Sequence, residues 1–244
     1  MKIVSWNCLG PRYNTESEIN SWFEKIEWLK KKYKADLYVI QECSKVQVDN
    51  ARERDIWKYA AWYGDDIDWF MRGTALFSDT RYFTEREEFF HNPKFRYVVP
   101  YRIKSKKEKL DFILYNIWTK GKPQNSEYED EAYYFYENNV KQALSFYKAT
   151  GHLDTSILIG DFNFGRDVSS VKNSFGKLLE KYDFNIADGI QNDLVTYKAT
   201  NEKCYFNDIC FGKKINVTLL DKGNFEELNT KSDHIPLIFE INAK

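Results

Sequence analysis

The chain contains three short apolar runs, and each stops on a polar group able to carry chemistry. Residues 2–6 lead into Asn7. Leu37-Tyr38-Val39-Ile40 leads into Gln41-Glu42, and Ser156-Ile157-Leu158-Ile159-Gly160 leads into Asp161. Runs of this length read as buried strands. In an α/β sheet, ligands sit beyond the carboxyl ends of the strands. The polar groups at these three ends are therefore expected to be neighbours.

Between the first two runs, residues 15–33 place Ile19, Trp22, Phe23, Ile26 and Leu29 on one helical face. Thr15 or Asn14 is the N-cap, and Glu18 completes a capping-box pattern. Strands are expected over residues 2–6, 36–40, 57–63, 74–77, 97–103, 110–118, 155–159, 205–211, 215–220 and 237–241. Further helices are expected over 127–148 and 168–182. Strands and helices alternate early and strands dominate late. That order predicts an α/β chain of mixed sheets with outer helices, in a single domain spanning 1–244. A chain of 244 residues is long enough to bury a substantial core.

Net charge is −1, which speaks against affinity for nucleic acid resting on overall basic charge. A local basic groove stays open as an alternative, with Lys30-Lys31-Lys32 and the lysines of 104–107 as candidates. The 18 Phe, 17 Tyr and 7 Trp are read first as packing, with base or sugar stacking as the second reading. Among Cys8, Cys43, Cys204 and Cys210 there is no Cys-x-x-Cys pair, so no structural zinc site is expected. Cys8 and Cys43 are expected to be small buried hydrophobes. Met1-Lys2-Ile3-Val4 runs straight into a strand pattern, so no leader is expected. No apolar stretch is long enough to span a bilayer. The expected setting is a reducing cytoplasm.

Asp161 and Asn163 are two residues apart, so on an extension of the strand they point the same way with Phe162 turned back. Ser232-Asp233-His234 precedes the apolar run from Ile235, which places an acid and an imidazole at the mouth of another strand. Each motif also has a local reading. The Asp161 turn is a plain Asx-turn, and Asp233-His234 is a satisfied loop pair. Taken together, carboxylates and amides without thiolates suit a hard cation such as Mg²⁺ or Mn²⁺. Phosphoester cleavage needs such a site: a cation to offset phosphate charge, a carboxylate to orient water, and amide and imidazole donors.

In chain order, Ser5-Trp6-Asn7, Ile40-Gln41-Glu42, Gly160-Asp161-Phe162-Asn163 and Ser232-Asp233-His234-Ile235-Pro236-Leu237 resemble the endonuclease/exonuclease/phosphatase superfamily, with its DNase I-like fold. The likeness spans nearly the whole chain and extends to abasic-endonuclease-like bacterial members. It implies a four-layer sandwich, with two mixed β-sheets face to face and helices on the outer faces. It also implies roles. Glu42 is the main metal ligand, with Asn7 and Asp233 close by. Asp161 activates the attacking water, Asn163 holds the phosphate and His234 contacts a phosphate oxygen. Phe206-Asn207-Asp208-Ile209-Cys210-Phe211 looks like the strand whose Asp orients that His, so Asp208 is the implied partner of His234.

The chain departs from that pattern at two positions. Trp118 stands where many members carry a second His or a Tyr; an indole cannot accept a proton, but it can donate its N–H to a substrate or stack on one. Asn116, Thr119 or Lys120 is then available as another phosphate contact, as is Arg166 after the Asp161 turn. Leu9 replaces an Asp that abasic endonucleases often use for metal. Trp57, Trp62, Tyr63, Trp69 and Arg72 form a candidate rim. The resemblance implies a phosphoester substrate, foremost a nucleic acid cut by a metal-assisted nuclease. The alternatives are a phosphatase or phosphodiesterase acting on a small molecule or lipid head group, and, ranked lower, a non-catalytic binding module.

Overall fold

A computed structural model describes residues 1–10, 15–64, 72–83, 92–95, 97–119, 136–228 and 231–244. Among the described residues, twelve strands form two sheets. The first holds β1 (Lys2–Asn7), β2 (Leu37–Ser44), β3 (Tyr59–Gly64), β4 (Arg72–Ser78), β11 (Ile215–Lys222) and β12 (Leu237–Ala243), in the order β11-β12-β1-β2-β4-β3. The second holds β5 (Val98–Ser105), β6 (Leu110–Trp118), β7 (Ser156–Arg166), β8 (Asn185–Ile186) and β10 (Cys204–Lys213), in the order β5-β6-β7-β10-β8. β9 (Tyr197–Lys198) pairs with β10. Both sheets are mixed: β1 lies parallel to β2 and β6 parallel to β7, while the other pairs are antiparallel.

The sheets pack face to face, β1, β2 and β4 against β6 and β7. Helix α1 (Glu16–Tyr33) covers the first sheet, with Trp28 against Trp6 and Trp22 against Phe77. Helix α2 (Lys45–Glu53) packs on β2, β3 and β4. Helix α3 (Tyr136–Ala149) covers the second sheet, where Tyr147 meets Tyr115 at a centroid distance of 4.9 Å. The central strands are thus covered on both sides. That is why β1 and β2 are buried almost throughout rather than on alternate residues. One contiguous core joins the two sheets. No helix among the described residues is long and apolar enough to cross a membrane.

Thr15 caps α1, and Glu18 closes the capping box; Asn14 lies outside the described residues. Helix α2 was not expected from the sequence. Its start carries the same signature in Ser44-x-x-Gln47, hidden because the box follows the strand without a break. β7 runs on to Arg166, past the expected end at 159, because β10 pairs along its extension. The expected helix over 168–182 is α4 (Val168–Val171), a π-helical turn at Lys172–Gly176 and α5 (Lys177–Glu180). Trp57 precedes β3 rather than opening it, and is buried against Phe77. Helix α6 (Phe225–Leu228) completes the set. The expected helix residues 127–135 lie outside the described residues.

Candidate active site

The parallel pairs bring the chosen strand ends to one side of the molecule. Asn7 lies opposite Gln41, and Trp118 lies opposite Asp161. Glu42 is the extra residue of a β-bulge: pairing with β4 passes from Gln41–Thr74 to Cys43–Gly73 and skips it. Its φ of 56° is uncommon for a residue with a side chain, and the bulge turns the carboxylate towards Asn7. A second irregularity lies where β10 crosses β7, between Phe206 and Asp208, and sets Asp208 opposite Asp161. Gly160 makes the turn into Asp161 possible. Its φ is 136°, and a Cβ there would lie 2.1 Å from the Ile117 carbonyl.

Asn7 links the two sheets. Its Nδ2 donates to Glu42 Oε1 and to Asp161 Oδ2, both at 2.9 Å. Its Oδ1 accepts from the Leu9 amide at 3.1 Å while Nδ2 is the atom that faces Glu42, so bringing the oxygen to a cation beside Glu42 requires the amide to turn over. Asp161 is fully buried. It accepts from the Asn163 backbone at 2.8 Å and from Asn163 Nδ2 at 2.9 Å. Asn163 also donates to the Thr119 carbonyl at 2.7 Å, and its φ of 52° folds its side chain back beside Asp161. Phe162 points the other way into the core, stacked on Phe164.

His234 is buried, and its Nδ1 lies 2.8 Å from Asp208 Oδ2. Its carbonyl accepts from the Trp6 indole and its backbone N–H donates to Ser232 Oγ, which fixes the loop beneath the ring. Nε2 lies 3.9 Å from both Asp161 Oδ2 and Asp233 Oδ1, too far for a hydrogen bond to either. That nitrogen is left facing the space between two carboxylates. Burial alone pushes the imidazole pKa down. The charges of Asp208, Asp161 and Asp233 outweigh it, so His234 is held well above the ordinary histidine range and stays cationic. Burial pushes the Asp161 carboxyl up, against the pull of His234 and the amide donors.

The oxygen-rich side of the site suits a hard cation. Asp233 Oδ1 is buried without a hydrogen-bond partner, and so is Asp208 Oδ1. Such orphaned anionic oxygens are costly unless a cation or donor meets them. Asp161, Asp208 and His234 bring ligand atoms within 4.8 Å of one another. A cationic imidazole bonded to Asp208 cannot ligate metal, which leaves carboxylate oxygens, the orphaned Asp233 Oδ1 among them, as the groups that could meet a cation.

One expected site residue sits elsewhere. Asn116 is fully buried between the sheets, its amide bonded to Ile40, Ala75 and Gln41, so it is a structural tie and faces no substrate. Arg166 ends β7, paired with Phe206 and exposed. Trp118 is nearly buried, edge-on to Tyr97. Lys120 and Trp69 lie outside the described residues. Two residues that the sequence reading gave no role at the centre do reach it. Arg72 forms an ion pair with Glu42 Oε2. Tyr197 bridges to His234 through β9 and lays its ring 4.6 Å from the imidazole.

No protein-family model matches the chain, and no curated protein matches it in sequence. Solved structures do match. A 3'-5' exonuclease (NExo) from Neisseria meningitidis aligns over 99% of this chain and all of its own, with a TM-score of 0.68 and 16% identity. The chain has the endonuclease/exonuclease/phosphatase fold. The 3' phosphatase NExo from Neisseria, bound to a product DNA hairpin, aligns over 99% of each chain at the same score and identity. An endonuclease/exonuclease/phosphatase family protein from Leptotrichia buccalis aligns over 99% of each chain, with a TM-score of 0.64 and 15% identity.

Proposed function

We propose that the chain, acting as one unit over residues 1–244, is a divalent-metal-dependent phosphoester hydrolase that uses water as nucleophile and nucleic acid as its main substrate. The observation that carries this reading is the meeting of Glu42, Asp161 and Asn163 with the Asp208–His234 pair at one end of the sandwich. Glu42 and Asp233 would hold the Mg²⁺ or Mn²⁺, which when bound neutralises phosphate charge. Asp161 orients the attacking water and takes its proton, a role suited to a buried carboxylate whose pKa is pushed up. Asn163 sets the position of Asp161, and one of its two amide hydrogens, now held by Asp161 and the Thr119 carbonyl, would have to be released to hold the phosphate. His234 directs Nε2–H at the oxygen where negative charge develops, and Asp208 keeps it cationic.

Nucleic acid is favoured because a protein of this fold binds a DNA hairpin product. The net charge of −1 favours the second reading, a small phosphoester. The four cysteines are free and three are buried, which suits a reducing cytoplasm. A substrate panel tests the proposal: 3'-phosphorylated and nicked DNA hairpins, single-stranded DNA, RNA and small phosphoesters, each with Mg²⁺, Mn²⁺ or chelator. Metal-dependent turnover that falls about 10²–10⁴-fold in Asp161→Ala is expected. Turnover indifferent to chelator or to that substitution overturns it.

A further inference from the structure

Glu42 is already saturated. Asn7 Nδ2 occupies Oε1, and the Arg72 guanidinium occupies Oε2. Both side chains of the ion pair are only 15% exposed, so water screens them weakly. Arg72 opens β4 opposite Ser44, beside the bulge that presents Glu42. Its guanidinium carbon lies 5.8 Å from the Trp118 ring centroid, and a Cβ on Gly10 would approach its Cδ to 3.2 Å. The Arg72 stem thus passes close to Gly10 and ends in a guanidinium beside the Trp118 ring, at the carboxylate that the proposed cation would use.

We infer that Arg72 is an exchangeable counter-cation of the acidic centre. It holds Glu42 until a divalent cation takes over that carboxylate, and then turns its guanidinium to the substrate's phosphate. This rests on the proposed metal site. The charge balance supports it. Glu42, Asp161, Asp208 and Asp233 face the centre, His234 answers one side and Arg72 the other. A cation bound at Glu42 would meet a like charge on the same carboxylate if Arg72 stayed. An Arg released there has a planar fork that matches two phosphate oxygens. The Trp118 ring beside the guanidinium gives it an aromatic neighbour at this end of the site.

The test is a double-mutant cycle on the metal-free full chain, with Mn²⁺ binding read by electron paramagnetic resonance. Arg72→Met is expected to tighten Mn²⁺ by about tenfold in the parent and to change it little in a Glu42→Gln background. A general field effect would instead act equally in both backgrounds, and that result overturns exchange. Inorganic phosphate binding gives the second arm. Arg72→Met should weaken it several-fold on Mn²⁺-loaded protein and leave it unchanged without metal, whereas no effect in either state overturns the inference. Arg72→Lys, which keeps a charge at the site, serves if the Met variant does not fold, and is expected to hold Mn²⁺ affinity near the parent while losing phosphate affinity. If Mn²⁺ binds neither parent nor variants, the metal site itself fails. If it binds all of them equally, only the exchange fails.

Discussion

Asp208 Oδ2 sits 2.8 Å from His234 Nδ1, and neither side chain has more than a sliver of solvent exposure. The pair joins β10 of one sheet to the loop that leads into β12 of the other. That contact, with the charges of Asp161 and Asp233, keeps the ring cationic where burial alone would strip its proton. Asp208→Asn keeps the shape and removes the charge. Turnover is expected to fall about 10–100-fold, and the His234 resonances should titrate at lower pH than in the parent. Parent-like kcat with an unmoved imidazole titration would show that Asp208 does not control the ring.

Stability of the metal-free chain should fall as pH rises. His234 is held above its unfolded value of about 6.5, so its contribution is complete below that pH and is lost as pH climbs through the raised folded value. Asp161 carries the same sign, because its folded pKa is also raised and the folded state keeps the extra proton. Both groups make the folded protein bind more protons than the unfolded one. Urea midpoints measured with chelator from pH 6 upward are expected to decline, and His234→Gln should flatten the slope. A midpoint that rises over that window contradicts the assignment.

The parts of this arrangement that were legible in the sequence are those encoded locally. Asn7, Glu42 and Asp161 each end a short apolar run, and the parallel pairing of β1 with β2 and of β6 with β7 turns that pattern into proximity. Arg72 and Tyr197 reach the centre by tertiary pairing alone, Arg72 from the start of β4 beside a bulge and Tyr197 from a two-residue strand. Neither has a sequence period to announce it. Asn116 misled for the converse reason. It shares a strand with Trp118, yet its side chain turns between the sheets, where the Gln41 amide and two backbone carbonyls take it up.

Gly160 has no room for a side chain. Its φ of 136° lies where other residues are strained, and a Cβ would lie 2.1 Å from Ile117 O and 3.0 Å from Gln41 Nε2. Gly160→Ala is expected to cost about 2–4 kcal/mol in chemical denaturation. Because the same turn aims Asp161, turnover per folded molecule should drop as well. An Ala variant with parent stability would mean that the strand relaxes away from β6 without penalty.

Tyr197 shields the imidazole that Asp208 charges. Its ring lies 4.6 Å from His234, and its backbone bridges to the same residue, so the ring excludes water from one face of the donor. Burial also pushes its phenol above the ordinary tyrosine value, with the charges of Asp233 and Asp161 adding to the shift, so the hydroxyl stays protonated at neutral pH. Tyr197→Phe keeps the ring and should keep kcat within about threefold of the parent, the size of a single weak hydrogen bond. Tyr197→Ala removes it, and kcat should fall much further while the His234 titration moves towards that of a solvated histidine. Equal losses in both variants would place the hydroxyl, rather than the ring, at the centre of its role.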